Sequence, residues 1–117
     1  MSDLFAERFA AVRARFAAKL DSRIDEIETA MQDFTRDRAA EALARAHRRA
    51  HDLCGVGPTM GFVATGTAAR AIEQVMLAAI KANRPLSDAE FEKVTGGLAA
   101  LRAAASAETG VYATSRE

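Results

Sequence analysis

The reactive side chains of this sequence are close together: His47, His51 and Cys54, spaced four and three apart in the run AHRRAHDLCG. A neutral imidazole keeps one ring nitrogen with a free lone pair at ordinary pH, so it serves as a nucleophile or a metal ligand without prior activation. On a helix the three residues fall within about 60° of one another, a face that would hold zinc or copper if a fourth ligand came from elsewhere. No fourth ligand is apparent in the sequence. The same run also contains a glycine that metal binding does not call for. Gly55 follows His51 by one turn, and glycine inside a helix costs about 1 kcal/mol relative to alanine. Leaving room beside His51 is one reason to accept that cost.

The apolar residues of this segment set its inward direction. Ala39, Leu43, Ala46, Ala50 and Leu53 recur at four and three, the stripe of a helix with one buried face. His51 lies about 130° from the centre of that stripe and Gly55 about 40° from His51. Both point outward. Arg45, Arg48 and Arg49 lie on or near the polar side, so an anion attached to His51 meets a locally positive setting. His47, nearer the edge of the stripe, reads as a partly buried polar residue rather than a second acceptor. Cys54 reads as a small side chain packed at the helix edge.

Arg48, Ala50, His51, Leu53, Gly55 and Gly61, followed by Phe62 and by Glu73 in the next apolar helix, resemble a histidine-containing phosphotransfer (HPt) domain. The family pattern is H-x-L-K-G, with a second glycine six residues after the first and an arginine three residues before the histidine. Cys54 stands where the family usually has lysine, which removes a positive charge beside the phosphoryl group but leaves the nucleophile. The resemblance covers roughly residues 3–105 and implies an all-α, antiparallel four-helix bundle. It further implies that His51 takes a phosphoryl group from an aspartate on one response-regulator receiver domain and passes it to another. The chain would then be a phosphocarrier in a multistep two-component phosphorelay, with a hybrid histidine kinase as a further partner. Arg48, Asp52, Cys54, Gly55 and Leu20 would support transfer or docking. No cofactor is implied on this chain, because Mg2+ and the acidic pocket would come from the receiver. Two rivals are a bundle that binds receivers without transferring, favoured by Cys54, and a helical dimerisation module, favoured by near-heptad spacing in the first helix.

Length and composition narrow the classes. A chain of 117 residues fits one domain. It has no phosphate-binding loop or dinucleotide fingerprint, so no kinase module is expected. The 16 basic and 16 acidic residues cancel, which gives no electrostatic case for nucleic acid. One cysteine excludes an internal disulfide and fits a reducing compartment. The opening MSDLFAERFAAVRARF is broken by charges, unlike a signal peptide or a membrane span, so a cytoplasmic protein is expected.

Four stripes position the site. Phe5, Phe9, Val12, Phe16, Leu20, Ile24, Ile27, Met31 and Phe34 predict a first helix over 3–34, with Asp21 and Ser22 as candidate caps for a bend or split near Leu20 to Ser22. Thr35 or Asp37 is the expected N-cap of the second helix. Counting back from this turn puts Phe16, Leu20 and Arg23 beside His51. Pro58 should kink or end the second helix just beyond Gly55. A third helix is expected from about Phe62 to Ala82, with Phe62, Ala69, Ile72, Val75, Met76, Ala79 and Ile80 inward. Ser87 and Glu90 form a capping box for the fourth, whose inward residues are Phe91, Val94, Leu98, Leu101 and Ala105. Gly96 and Gly97 should weaken that helix. Residues 106–117 lack periodicity and are expected to form a frayed tail.

Overall fold

The computed structural model describes residues 2–37 and 39–115, and the side chains of 3–36 and 39–110. Four helices follow in order: α1 (Ser2–Asp37), α2 (Ala40–Thr59), α3 (Val63–Lys81) and α4 (Asp88–Ser115). Each packs on its neighbours in the order α1, α2, α3, α4 and back to α1, as in an antiparallel four-helix bundle. A helix of 36 residues is about 54 Å long, and the molecule measures 53 × 22 × 19 Å, so α1 spans its whole length.

Helix α1 has no break near Leu20. Phe16, Leu20, Ile24, Ile27, Met31 and Phe34 are buried in one unbroken stripe, while Asp21 and Ser22 are exposed. Continuous burial of the stripe outweighs the local capping tendency of those two residues. The stripe is not buried throughout, however. Phe5 is 74% exposed and Val12 is also exposed, because α1 runs on past the α2–α3 turn, which meets it where Arg13 approaches Gly61.

Helix α2 begins later than expected. Thr35 lies within α1, its hydroxyl donating to the Met31 carbonyl at 2.9 Å, and Asp37 is the last residue of α1. Ala39, extended at φ −73° and ψ 127°, is the N-cap and supplies no side-chain bond. At its other end α2 continues through Pro58 to Thr59. Proline's fixed φ suits a helix, and the lost N–H falls in the final turn, where one bond is forfeited. The ring lies against Gly66 of α3, where any Cβ would come within 2.7 Å of it. The helix then ends in a Schellman motif: the Phe62 amide donates to the Gly57 carbonyl at 2.8 Å and the Gly61 amide to the Pro58 carbonyl at 3.0 Å. Gly61 takes φ +84° there, the left-handed geometry that favours glycine.

Phe62, Ala69, Ile72, Met76 and Ala79 are buried, with Val75 and Ile80 packed at the core edge. The capping box is present, with Ser87 N donating to Glu90 Oε1 at 2.9 Å and Glu90 N to Ser87 Oγ at 3.2 Å. Val94, Leu98, Leu101 and Ala105 are buried, with Phe91 packed alongside. Gly97 lets α4 approach α3, since a Cβ there would lie 2.7 Å from Ile72 Cγ1.

The expected tail is instead helix as far as Ser115. Its next inward position after Leu101 and Ala105 is Glu108, whose carboxylate caps the start of α3. Oε1 accepts from the Thr65 amide at 2.7 Å and the Thr65 hydroxyl at 2.6 Å, and Oε2 from the Ala64 amide at 3.0 Å. An acid at an inward position reads as lost periodicity, yet it satisfies donors that a helix start leaves unpaired.

Candidate functional site

Helix α2 turns Ala42, Leu43, Ala46, Ala50 and Leu53 into the core, which fixes where its remaining side chains go. His51 projects outward with 68% of its side chain exposed. His47, one turn earlier, is only 20% exposed. The two rings stack with centroids 6.0 Å apart and planes 17° from parallel.

A carboxylate reaches this pair from α3. Glu73 follows the buried Ile72 and is itself 13% exposed. Its Oε2 is hydrogen-bonded to Nδ1 of His51. A carboxylate only accepts, so it favours the tautomer with the proton on Nδ1 and leaves the distal Nε2 with the lone pair. The same Oε2 lies 3.9 Å from Nε2 of His47, a buried nitrogen without a hydrogen-bond partner. The role of Glu73 is missed by sequence reasoning. The residue stands among apolar neighbours in α3, but spacing within one helix does not say what it meets on another.

The arginines divide into two kinds. Arg45 is engaged by Asp33 of α1 at 3.0 Å, and Arg49 by Glu26 at 2.7 Å. Arg48 is exposed and makes no ion pair among the described residues. Positive charge available to an incoming anion therefore rests on Arg48, not on all three. These arginines, with His47, His51 and Asp52, line an open hollow on α2.

Gly55 is exposed, and a Cβ added to it would meet nothing within 4 Å. No packing or backbone geometry requires glycine here, so the space beside His51 is open. Cys54 is half-buried against the core and does not join the histidines. Among the described residues no group of three His, Cys, Asp or Glu side chains is placed to hold a metal ion. Leu20, 1% exposed, belongs to the core and offers no docking surface. Phe16 is displaced from the expected position too. Phe16 meets Phe62 edge-on at 5.2 Å, near the end of α2, and the Arg23 guanidinium lies over its ring. The Glu26–Arg49 pair and the Arg13–Gly61 approach put His51 nearer the level of Ile24 than of Leu20.

No helix among the described residues is long and apolar enough to cross a membrane. A family model described as Hpt domain matches residues 11–104. No curated protein and no solved structure matches the chain.

Proposed function

Because the chain belongs to the Hpt domain family, whose members carry out histidine phosphotransfer in two-component systems, we propose that His51 carries the phosphoryl group between aspartate-bearing receiver domains. The observation that supports this most is an exposed imidazole whose proximal nitrogen is held by a carboxylate. In that state the distal Nε2 needs no base. Its lone pair attacks the phosphorus of a receiver's aspartyl phosphate, the N–P bond forms, and the P–O bond breaks with its electron pair returning to the aspartate carboxylate. The ring gains formal positive charge in this step, and Glu73 beside Nδ1–H stabilises that charge. Transfer to a second receiver reverses the bond changes on a new carboxylate.

Mg2+ comes with the receiver in this reading, and the chain's own part is a rigid, accessible nucleophile. Arg48 attracts the phosphoryl oxygens and offsets the charge that Cys54 does not provide in place of lysine. Asp52, exposed beside His51, and Gly55 border the docking surface. A hybrid histidine kinase would supply the phosphate to the first receiver, in the cytoplasm.

The test is incubation of the purified chain with a panel of phosphorylated receivers. An acid-labile, base-stable phosphoprotein is expected from the parent and from His47→Gln, and none from His51→Gln. His51→Gln should keep the parent's circular dichroism and melting temperature, because an exposed side chain contributes little to stability. Receivers that bind without labelling the chain would make it a non-transferring bundle. Labelling that persists in His51→Gln and is lost in His47→Gln would reverse the assignment.

A further inference from the structure

We infer that His47 is a positioning residue that acts on His51 through Glu73, with the two histidines presenting opposite tautomers to one carboxylate oxygen. Its kinetic arm rests on the phosphotransfer reading above; its structural arm does not.

The starting point is a buried ring nitrogen with no partner. His47 Nε2 has no hydrogen bond, yet it lies 3.9 Å from Glu73 Oε2. A lone pair on that nitrogen would face a carboxylate oxygen, acceptor against acceptor, so the proton belongs on Nε2. His51 presents its other nitrogen, Nδ1, to the same oxygen. The stacked rings therefore bring two N–H donors to one acceptor from neighbouring turns of α2. Polar atoms buried without partners are costly, and a small swing of Glu73 toward His47 relieves the cost.

Among the described residues, only His51 and His47 approach the Glu73 carboxylate as hydrogen-bond or ion-pair partners. Of the charged residues lining the hollow, Arg45 and Arg49 are engaged by α1 carboxylates, and Arg48 and Asp52 are exposed. The only hydrogen bond of Glu73 among the described side chains goes to His51. His51 is the exposed member of the trio and must meet the receiver. His47, 20% exposed with its Nε2 buried, is the more enclosed member. It keeps the carboxylate within reach while His51 engages a partner, so that the ring returns to the same tautomer after each transfer.

Nitrogen-15 NMR of the histidine rings in the full chain reads both tautomers directly. The parent should show His47 protonated at Nε2 and His51 at Nδ1. His47→Phe keeps a stacked ring but removes the nitrogen. It should turn His51 into a mixture of tautomers and slow phosphoryl uptake from saturating phosphorylated receiver about fivefold, the effect of one ordinary hydrogen bond. Half-saturation by receiver should not change. His47→Gln returns an N–H donor and should restore most of both readouts. Circular dichroism checks that each variant is folded, and His47→Met serves if the phenylalanine is not accommodated.

A His47 protonated at Nδ1 in the parent would overturn the inference, as would a His47→Phe protein with an unchanged His51 tautomer or an unchanged rate. A parent that takes up no phosphate would defeat the phosphotransfer reading, and the tautomers would still decide the role of His47.

Discussion

The exposed face of α2 and the length of α4 use their polar side chains in opposite ways. Along α4, polar groups are joined to other parts of the fold. Arg102 reaches α1, with Nη2 donating to Asp25 at 2.5 Å and to Glu28 at 3.0 Å. Glu108 caps α3, and Glu90 is held by Arg84 at 2.6 Å and by the Ser87 amide. Around His51 the balance differs. The distal imidazole edge is in solvent, Arg48 has no ion pair among the described residues, and the space at Gly55 is empty. Groups paired within the fold hold it together, whereas groups left open on a rigid helix are available to a partner. Changes on the first surface should therefore alter stability and spare transfer, and changes on the second should do the reverse.

The sharpest way to break that contrast is Gly55→Glu. The site has room for the side chain, so the variant should melt within a few degrees of the parent. A carboxylate one turn from His51 should nevertheless repel the phosphoryl group and the docking receiver, and lower transfer by a factor of at least about 100. Normal transfer by a stable Gly55→Glu protein would show that the open space has no bearing on docking.

Glu108→Ala is the counterpart on α4. Thr65 is fully buried, and loss of its acceptor leaves a hydroxyl and an amide unsatisfied, a cost of about 1–3 kcal/mol. Chemical denaturation should show that loss while the phosphoryl transfer rate of the folded protein stays the same. A smaller effect is expected from Arg102→Ala, about 1 kcal/mol or less, because the guanidinium and its partners are partly solvated. Gly55→Ala should move stability the other way, by up to about 1 kcal/mol, since nothing opposes the gain in helix propensity.

The acid limb of stability is the smallest test. The Arg84 guanidinium, with the Ser87 amide, holds the Glu90 carboxyl down at about 2 from an ordinary value of 4.5. A depressed carboxyl contributes stability above its unfolded value and loses it as pH falls toward the folded one. The contribution should therefore be complete above about pH 4.5 and fade toward pH 2. Melting temperature should fall less steeply over this window in Glu90→Gln than in the parent, and equal slopes would exclude the capping box as the source.

What the sequence discloses follows the range of the interaction. The outward direction of His51 and Gly55 is set by Ala46, Ala50 and Leu53 on the same helix, and the Ser87–Glu90 box spans three residues. Both are legible from spacing alone. Glu73 and Glu108 act across helices, 22 and 43 positions from the residues they serve. No local pattern distinguishes them from a solvated acid. Asp21 and Ser22 mislead in the other direction, because capping residues on an exposed face cost a continuous helix little. Counting back from a turn puts Leu20 beside His51, because the cross-helix pairs that set the register, Glu26–Arg49 among them, are visible only in the fold.

The central claim is that Nε2 of His51, with Nδ1 held by Glu73, forms the N–P bond. The most direct measurement is phosphorus–nitrogen coupling in the nitrogen-15-labelled chain after phosphorylation by a receiver. A one-bond coupling to Nε2 of His51, with Nδ1 still carrying its proton, is the expected result. Coupling to Nδ1, coupling to His47, or phosphate on an oxygen atom would contradict it.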